Sequence, residues 1–179
     1  MLMNRDHATL LVVDVQSKLV PAVVAPEALL ERCEWLLRVA VDAGLPVVFS
    51  EQYPQGLGET DARLLAAVPS PQVVQKRAFS CLAEDCLPAA LLARDQVIVC
   101  GMEAHVCVLQ TVLELRQAGK QVFVVSDAVS SRSAQDRELA LQRMRDGGAV
   151  VVSAEMVLFE MLRTSAHERF RHFSKTYLV

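Results

Sequence analysis

The sequence predicts a single α/β domain, in which a doubly wound, mainly parallel sheet of five or six strands lies between two layers of helices. Two observations support this fold class. Short apolar runs rich in β-branched residues recur along the chain, and segments with helical periodicity separate them. Strand and helix alternating in this way about five times is typical of a parallel sheet covered on both faces. Because no linker, composition break or internal repeat interrupts the chain, we expect one domain over residues 1–179.

Six apolar runs are the candidate strands. Each is short and continuous in its apolar residues, which is typical of strands buried on both faces. In chain order they cover residues 9–15, 45–49, 73–74, 97–100, 122–125 and 149–152.

Four segments are the candidate helices, and in the first two the apolar side chains recur on one stripe. They cover residues 27–43, 106–118, 134–145 and 154–163. Gly44 and Gly119 follow the first two segments directly, where glycine commonly ends a helix. Residues 164–179 form a polar C-terminal tail, which we expect to reach towards a neighbouring subunit.

The composition favours a folded domain with a substantial core. Hydrophobic residues make up 53% of the chain and charged residues 22%, which excludes a disordered or collagen-like protein. The 18 Lys and Arg against 21 Asp and Glu leave a net charge of −3, so we expect no nucleic-acid partner. No apolar stretch approaches the ~18 residues of a membrane helix, and the N-terminus leads into no signal-like apolar region. We therefore expect a cytoplasmic protein with reduced cysteines and no membrane partner.

The sequence lacks the motifs of the common nucleotide and metal sites. No G-x-G-x-x-G follows the first candidate strand, where the chain reads Gln16-Ser17-Lys18, and neither a G-x-x-x-x-G-K-[ST] loop nor a G-x-S-x-G elbow occurs. The four histidines never stand at i and i+4, the spacing of a helical zinc site. We therefore expect no cofactor and no metal ion.

Three polar residues stand at the ends of candidate strands. Asp14 lies near the end of the first run, Lys76 comes directly after the third, and Cys107 follows the fourth run and a short turn. In a parallel sheet the ligand crevice lies beyond the carboxyl ends of the strands. We therefore expect the three side chains to share one pocket.

Cys107 has the position of an activated nucleophile. At a helix N-terminus the unpaired N–H groups and the dipole favour a thiolate, Lys76 would lower the thiol pKa further, and Asp14 would accept its proton. Each residue also has a structural interpretation, as a buried cysteine, a strand-end carboxylate or a solvated surface lysine. For the other cysteines the structural interpretation is preferred; these are Cys33, Cys81, Cys86 and Cys100.

Four segments together resemble the isochorismatase-like cysteine hydrolase family, and within it the small isochorismatase domain-containing proteins. They read LLVVDVQ (10–16), VVFSEQYPQGLG (47–58), QKRAFSC (75–81) and VIVCGMEAHVCVLQTVLELRQAGKQVFVVSDAVSSRS (97–133). The likeness extends over roughly residues 8–160, and the stretch G-x-E-x-H-V-C-V-x-Q-T is its most specific part. By motif, the resemblance implies that Asp14 is the general base, Lys76 its ion-pair partner and Cys107 the nucleophile.

The resemblance also implies a cis peptide between Met102 and Glu103, with the N–H groups of Glu103 and Cys107 forming the oxyanion hole. Nicotinamidases of the family bind a metal through a D-x-H segment, and this chain has no histidine in the corresponding stretch 51–54. Family enzymes that hydrolyse isochorismate lack the cysteine, so Cys107 argues against that reaction. Family members are commonly dimers or larger, so we expect a homo-oligomer.

Two hypotheses of different classes follow. The first is a metal-independent cysteine hydrolase that cleaves a C–N bond of a small amide, carbamoyl or ureido substrate through a thioester. The second is a catalytically silent member that serves as an oligomeric interaction protein or a redox-sensing thiol protein. For the first, the residues expected to line the substrate pocket are Gln16, Leu19, Tyr53, Phe79 and Glu103; Leu19 and Phe79 are equally well explained as core residues.

Overall fold

Six parallel strands form one sheet in the order β3-β2-β1-β4-β5-β6 in the computed structural model, which describes residues 1–178. All five neighbouring pairs are parallel. The strands are β1 (Ala8–Val13), β2 (Val47–Gln52), β3 (Gln72–Lys76), β4 (Gln96–Met102), β5 (Gln121–Ser130) and β6 (Val150–Val152). The predicted doubly wound α/β fold is confirmed, with six strands.

Within residues 1–178, eight α-helices connect and cover the strands. They are α1 (Pro26–Ala43), α2 (Pro54–Leu57), α3 (Ala62–Ala66), α4 (Ala89–Leu92), α5 (Leu109–Gln117), α6 (Ala134–Asp146), α7 (Ala154–Leu162) and α8 (Phe170–Tyr177). Two 3₁₀ turns lie at Arg5–His7 and Val20–Ala22, and a π-helical turn at Ala104–Val108 leads directly into α5. No helix within residues 1–178 is both long enough and apolar enough to cross a bilayer.

Side chains of the central strand β1 contribute to both hydrophobic cores, one on each face of the sheet. Leu10 and Val12 belong to the core under α1, α3, α7 and α8, whereas Leu11 and Val13 belong to the core under α4, α5 and α6. Because side chains alternate between the faces of a strand, a strand covered on both faces needs apolar residues at every position. This explains the unbroken apolar run in the sequence.

The strand order places a crevice beside β1. The chain adds β2 and β3 on one side of β1 and then returns to add β4 on the other side. The helices that follow β1 and β4, α1 and α5, pack on opposite faces of the sheet, and in open α/β sheets the ligand crevice forms at the carboxyl ends of such strands. Asp14 follows β1 directly, and the π-helical turn follows β4.

Gly101 allows β4 to approach β1 closely at this crevice. Its φ is +117°, and a Cβ on it would lie 2.1 Å from the carbonyl oxygen of Val13. Val13 is paired with Gly101 in the sheet, and it immediately precedes Asp14. The missing side chain thus sets how closely the Asp14 backbone approaches the end of β4.

Two elements differ from the sequence-based prediction. β3 is an edge strand, so most of its residues are at least partly exposed and only Lys76 is buried, in contrast to the expected burial on both faces. The predicted tail contains α8, whose Phe173 is only 2% exposed and which docks on α1 through a hydrogen bond from Trp35 Nε1 to the Tyr177 carbonyl, 3.2 Å. The last tail residue, 179, lies outside the described residues.

Candidate active site

Asp14 is held at the end of β1 by both its backbone and its carboxylate. Its φ of +51° is in the left-handed region, which Asp tolerates better than most residues, and its N–H donates to the Ser50 carbonyl, 3.1 Å. The side chain is buried. Its Oδ1 accepts a hydrogen bond from Ser50 Oγ, 2.7 Å, and its Oδ2 lies 2.6 Å from Lys76 Nζ.

Lys76 ends the edge strand β3 and extends its side chain beneath the end of β2. Its Nζ donates to Asp14 Oδ2 at 2.6 Å, to Gln52 Oε1 at 2.8 Å and to the Ala78 carbonyl at 3.3 Å. An ammonium has three donors, so all of them are used. Burial acts to lower the pKa of Lys76, but the negative charge of Asp14 and its hydrogen bond with the ammonium act in the opposite direction, and the pKa is raised. Lys76 is therefore a fixed positive charge.

Cys107 lies inside the π-helical turn and is 7% exposed. Burial is the largest influence on its thiol and raises the pKa above the ordinary value. The negative charge of the Asp14 carboxylate raises the pKa further, while the charge of Lys76 acts to lower it. The structure thus brings Asp14, Lys76 and Cys107 into one electrostatic group.

The direction of the Cys107 pKa corrects one expectation from the sequence. A helix N-terminus and a neighbouring lysine predicted a resting thiolate, and Lys76 does act in that direction. The prediction is wrong because the thiol pKa is raised, not lowered. Burial and the adjacent Asp14 carboxylate disfavour a negative charge on the sulfur more strongly than Lys76 favours it. In the resting protein the sulfur therefore carries its proton, and the charged carboxylate lies beside it.

Glu103 connects β4 to the π-helical turn. The peptide bond from Met102 to Glu103 is cis, and Met102 itself is fully buried. The Glu103 carbonyl accepts hydrogen bonds from the N–H groups of Val106, 3.0 Å, and Val108, 3.2 Å. Its own N–H finds no acceptor among residues 1–178. This backbone donor is thus available at the start of the turn that carries Cys107.

The residues expected to line the pocket fall into three groups. Gln16 is fully buried, and its side-chain amide is bonded to backbone groups of Gln52 and Gly58, so it joins two loops. Tyr53 and Phe79 are 43% and 52% exposed, so Phe79 is not a core residue. Leu19, the third group, is half-buried against the α1 core.

The Glu103 carboxylate does not point freely into a pocket. It pairs with the Arg132 guanidinium through Nε at 2.5 Å and Nη2 at 3.1 Å. Glu103, whose side chain was expected to contact the substrate, is therefore already bound to Arg132 of the β5–α6 connection.

The profile of the isochorismatase domain matches residues 8–156, more than half of the chain. The chain belongs to the isochorismatase family. Members of this family are generally hydrolases. The match spans all six strands, and it also includes Asp14, Lys76 and Cys107.

Relatives of known name or structure agree with this membership. Isochorismatase domain-containing protein 2A of Mus musculus is 36% identical over 173 residues, which cover 95% of this chain and 82% of the relative. The structure described as MAR1 ribonuclease of Caenorhabditis elegans is 33% identical, with a TM-score of 0.92 and coverage of 100% and 93%. The YcaC gene product of Escherichia coli, described as an octameric hydrolase of unknown specificity, shares the fold, with a TM-score of 0.86, 23% identity and coverage of 99% and 96%.

Further residues of this isochorismatase-family site were not found from the sequence. Ser50 and Gln52 alternate at the end of β2 and bind Asp14 and Lys76, respectively. The signal that could have identified them is the run of three polar residues, 50–52, at the end of an apolar strand, since its first and third residues lie on the same face of the sheet.

Cys81 is the second thiol of the site, although the sequence indicated only a structural role. It is fully buried, and its N–H donates to Thr111 Oγ1, 3.1 Å, one helical turn beyond Cys107. Burial and then the charge of Asp14 raise its pKa to about 11, so the thiol stays protonated at neutral pH.

Glu51 stands at the start of the stretch compared with the nicotinamidase metal segment. Its carboxylate accepts hydrogen bonds from the N–H of Thr60, 2.7 Å, and from the Thr60 hydroxyl, 2.9 Å, so it anchors the loop after α2. Within residues 1–178, no group of three or more His, Cys, Asp or Glu side chains is placed to hold a metal ion.

Proposed function

We propose that this protein is a cysteine hydrolase that cleaves a C–N bond of a small amide, carbamoyl or ureido compound. The observation that carries the proposal is the position of Asp14. Its buried carboxylate binds the Lys76 ammonium across 2.6 Å, and its charge acts directly on the pKa of the Cys107 thiol. A nucleophile beside a base that is held by a third group is the usual arrangement for covalent catalysis.

In the first half of the reaction, the Cys107 sulfur attacks the substrate carbonyl carbon. Because the thiol is protonated at rest, Asp14 takes its proton as the new S–C bond forms. The negative charge then moves to the substrate oxygen, where the N–H groups of Glu103 and Cys107 would hold it. When the C–N bond breaks, the departing amine takes the proton from Asp14, and a thioester remains on Cys107.

In the second half, water replaces the amine. Asp14 takes a proton from the water as its oxygen attacks the thioester carbonyl, and the same N–H groups receive the charge. The S–C bond then breaks, and the sulfur recovers the proton from Asp14. Lys76 stays charged throughout and keeps the carboxylate in place.

The surroundings of Lys76 and Cys107 favour a small substrate. Only 7% of Cys107 is exposed, so access to the sulfur is narrow. Tyr53 and Phe79 flank the lysine: the Tyr53 N–H donates to the Lys76 carbonyl, 2.9 Å, and Phe79 follows the Ala78 carbonyl that accepts from Lys76 Nζ. We assign these exposed aromatic side chains, with Leu19, to the wall of the entrance.

A second candidate activity comes from the relative described as a ribonuclease, which is 33% identical over this whole chain. RNA hydrolysis would need a surface that attracts phosphates, and the chain carries a net charge of −3. The small-molecule activity is therefore the stronger proposal. By analogy with the octameric YcaC gene product, we also propose that this protein forms a homo-oligomer. Light scattering after gel filtration measures its oligomeric state.

Ammonia release from a panel of small amides, carbamates and ureides tests the proposed function. We expect release from at least one compound by the wild-type protein and none by Cys107→Ala, whose folding is checked by circular dichroism. A single-stranded RNA oligonucleotide is included as the alternative substrate. Three results would contradict the proposal: no ammonia release from any compound, equal release by the Cys107→Ala protein, or cleavage of the RNA alone. The first result would favour the alternative hypothesis, that the protein is a catalytically silent member of the family.

A further inference from the structure

Two adjacent residues of the β5–α6 connection bind two residues around the π-helical turn. Ser131 Oγ lies 3.0 Å from His105 Nδ1, in hydrogen-bonding contact. Arg132 binds the Glu103 carboxylate with two hydrogen bonds of 2.5 and 3.1 Å, the forked geometry that fixes a carboxylate in orientation as well as position. Cys107 lies two residues after His105, on the same turn.

The β5–α6 connection is itself held firmly. Ser131 is fully buried, and its carbonyl accepts a hydrogen bond from the Val24 N–H, 2.9 Å. The Ser130 hydroxyl donates to the Val24 carbonyl, 2.7 Å. On the other side, the Ser133 hydroxyl caps α6 by accepting from the Asp136 N–H, 3.0 Å. Arg132 therefore extends from a short segment that is fixed at both ends.

Glu103 has one polar group left unpaired by these contacts. Its carboxylate is held by Arg132, and its carbonyl accepts from Val106 and Val108. Its N–H donates to no group within residues 1–178. A backbone donor without a partner in a largely buried residue is typical of a place where a ligand supplies the acceptor.

We propose that Arg132 is a positioning residue, which holds Glu103 so that its N–H is oriented to receive the developing oxyanion, and that Ser131 supports it by fixing His105 on the same turn. This inference rests on the proposed function and adds to it the group that fixes the oxyanion donor. Arg132 acts through Glu103 and touches no reacting atom. Its side chain approaches from solvent, being 65% exposed, whereas that of Glu103 is 11% exposed.

Two reagents that attack the same sulfur separate this role from a general structural one. Iodoacetamide forms an S–C bond at a saturated carbon and expels iodide, so no oxyanion develops. p-Nitrophenyl acetate forms an S–acyl bond through a tetrahedral oxyanion and expels p-nitrophenolate, while the thiol proton passes to Asp14. Peptide mass spectrometry at Cys107 gives both rates.

We expect Arg132→Ala to slow acetylation of Cys107 about tenfold, less than the loss of an entire oxyanion donor causes. Alkylation of the same variant by iodoacetamide should proceed at the wild-type rate. Ser131→Ala should show the same split, and Arg132→Lys should restore part of the acetylation rate. Arg145→Ala, at the exposed end of α6, is the matched control and should behave as wild type in both reactions.

Several results would overturn the inference. A parallel fall of both rates in Arg132→Ala would mean that the arginine only maintains the fold or the access to the thiol. Unchanged acetylation in both Ser131→Ala and Arg132→Ala would mean that neither residue positions the donor. If the wild-type protein is not acetylated at Cys107 at all, the proposed function fails first, and this inference fails with it.

Discussion

The Lys76 ammonium donates a hydrogen bond to Oδ2 of Asp14 across 2.6 Å, at a place where neither side chain is exposed by more than 1%. Such a pair gains little over an apolar pair of the same size, but removing one partner leaves a buried charge unpaired. The pair is therefore better explained by chemistry at Cys107 than by stability alone.

Lys76→Met should destabilise the fold by about 3–5 kcal/mol, because it leaves the Asp14 carboxylate buried without its counter-ion. Urea unfolding followed by circular dichroism measures the change. The double variant Asp14→Asn/Lys76→Met should be more stable than Lys76→Met, since it removes the unpaired charge as well. Equal stability of the two variants would contradict a direct coupling between the residues.

The alkylation rate of Cys107 should still be rising at pH 9, because the raised pKa keeps the thiol protonated through neutral pH. Asp14→Asn should speed alkylation at neutral pH, since the carboxylate raises the thiol pKa, and Lys76→Met should slow it for the opposite reason. Iodoacetamide labelling, read at the Cys107 peptide, gives the rates. A plateau near neutrality in the wild-type protein would show that the thiol is already ionised.

The raised pKa of Cys107 also makes the free energy of unfolding depend on pH. A folded-state thiol pKa above the unfolded value means that the folded protein holds a proton which the unfolded chain releases once the pH exceeds the ordinary thiol pKa. The free energy of unfolding should therefore fall as the pH rises above 9, and Cys107→Ala should remove part of this dependence. Denaturant titrations on the alkaline side measure it.

Gly101→Ala should destabilise the protein by more than about 3 kcal/mol, because it combines a positive φ with a collision against Val13. Gly119→Ala is the matched control: its φ of +82° is also positive, but nothing lies within 4 Å of the added carbon. The control should lose only about 1 kcal/mol. Similar losses in the two variants would mean that the close approach of β4 to β1 is unimportant.

Asp42→Asn should loosen α8 at neutral pH and have little effect in acid. Burial acts to raise the pKa of Asp42, but hydrogen bonds from His172, Arg169 and Tyr177 outweigh it, and the pKa is lowered. The ionised Asp42 carboxylate therefore stabilises the folded state above the ordinary carboxyl pKa. This stabilisation is lost as the pH falls through the lowered pKa of Asp42.

The expected loss for Asp42→Asn is about 1 kcal/mol at neutral pH, as for other partly exposed ion pairs. Thermal unfolding at neutral and acidic pH gives the comparison. Asp146→Asn, on the exposed end of α6, is the control. A loss that is the same at both pH values would rule out the charge of Asp42 as its cause.

Much of the fold could be predicted because strand and helix periods differ and each strand contains a short apolar run. The contact between Asp14 and Lys76 could also be predicted, because both residues stand at the carboxyl ends of parallel strands, which lie at one edge of the sheet. The roles of Ser50 and Gln52 depend on β2 lying between β1 and β3, and the sequence does not state that order.

Three other features depend on packing in three dimensions. The π-helical turn around Cys107 has no distinct periodicity in five residues. The direction of the thiol pKa depends on how far burial and Asp14 outweigh Lys76, a balance that only the folded arrangement sets. Arg132 lies near Glu103 only because the β5–α6 connection passes the end of β4.

Peptide mass spectrometry of the acid-quenched protein, sampled over time after mixing with p-nitrophenyl acetate, shows whether Cys107 carries a covalent intermediate that Asp14 helps to hydrolyse. In the wild-type protein we expect an acetyl group on Cys107 that forms and then disappears. It should persist in Asp14→Asn, which has no base to activate water, and should never form in Cys107→Ala. Acetylation of other residues only, or equally fast loss of the acetyl group from Asp14→Asn, would refute covalent catalysis by Cys107 with Asp14 as its base.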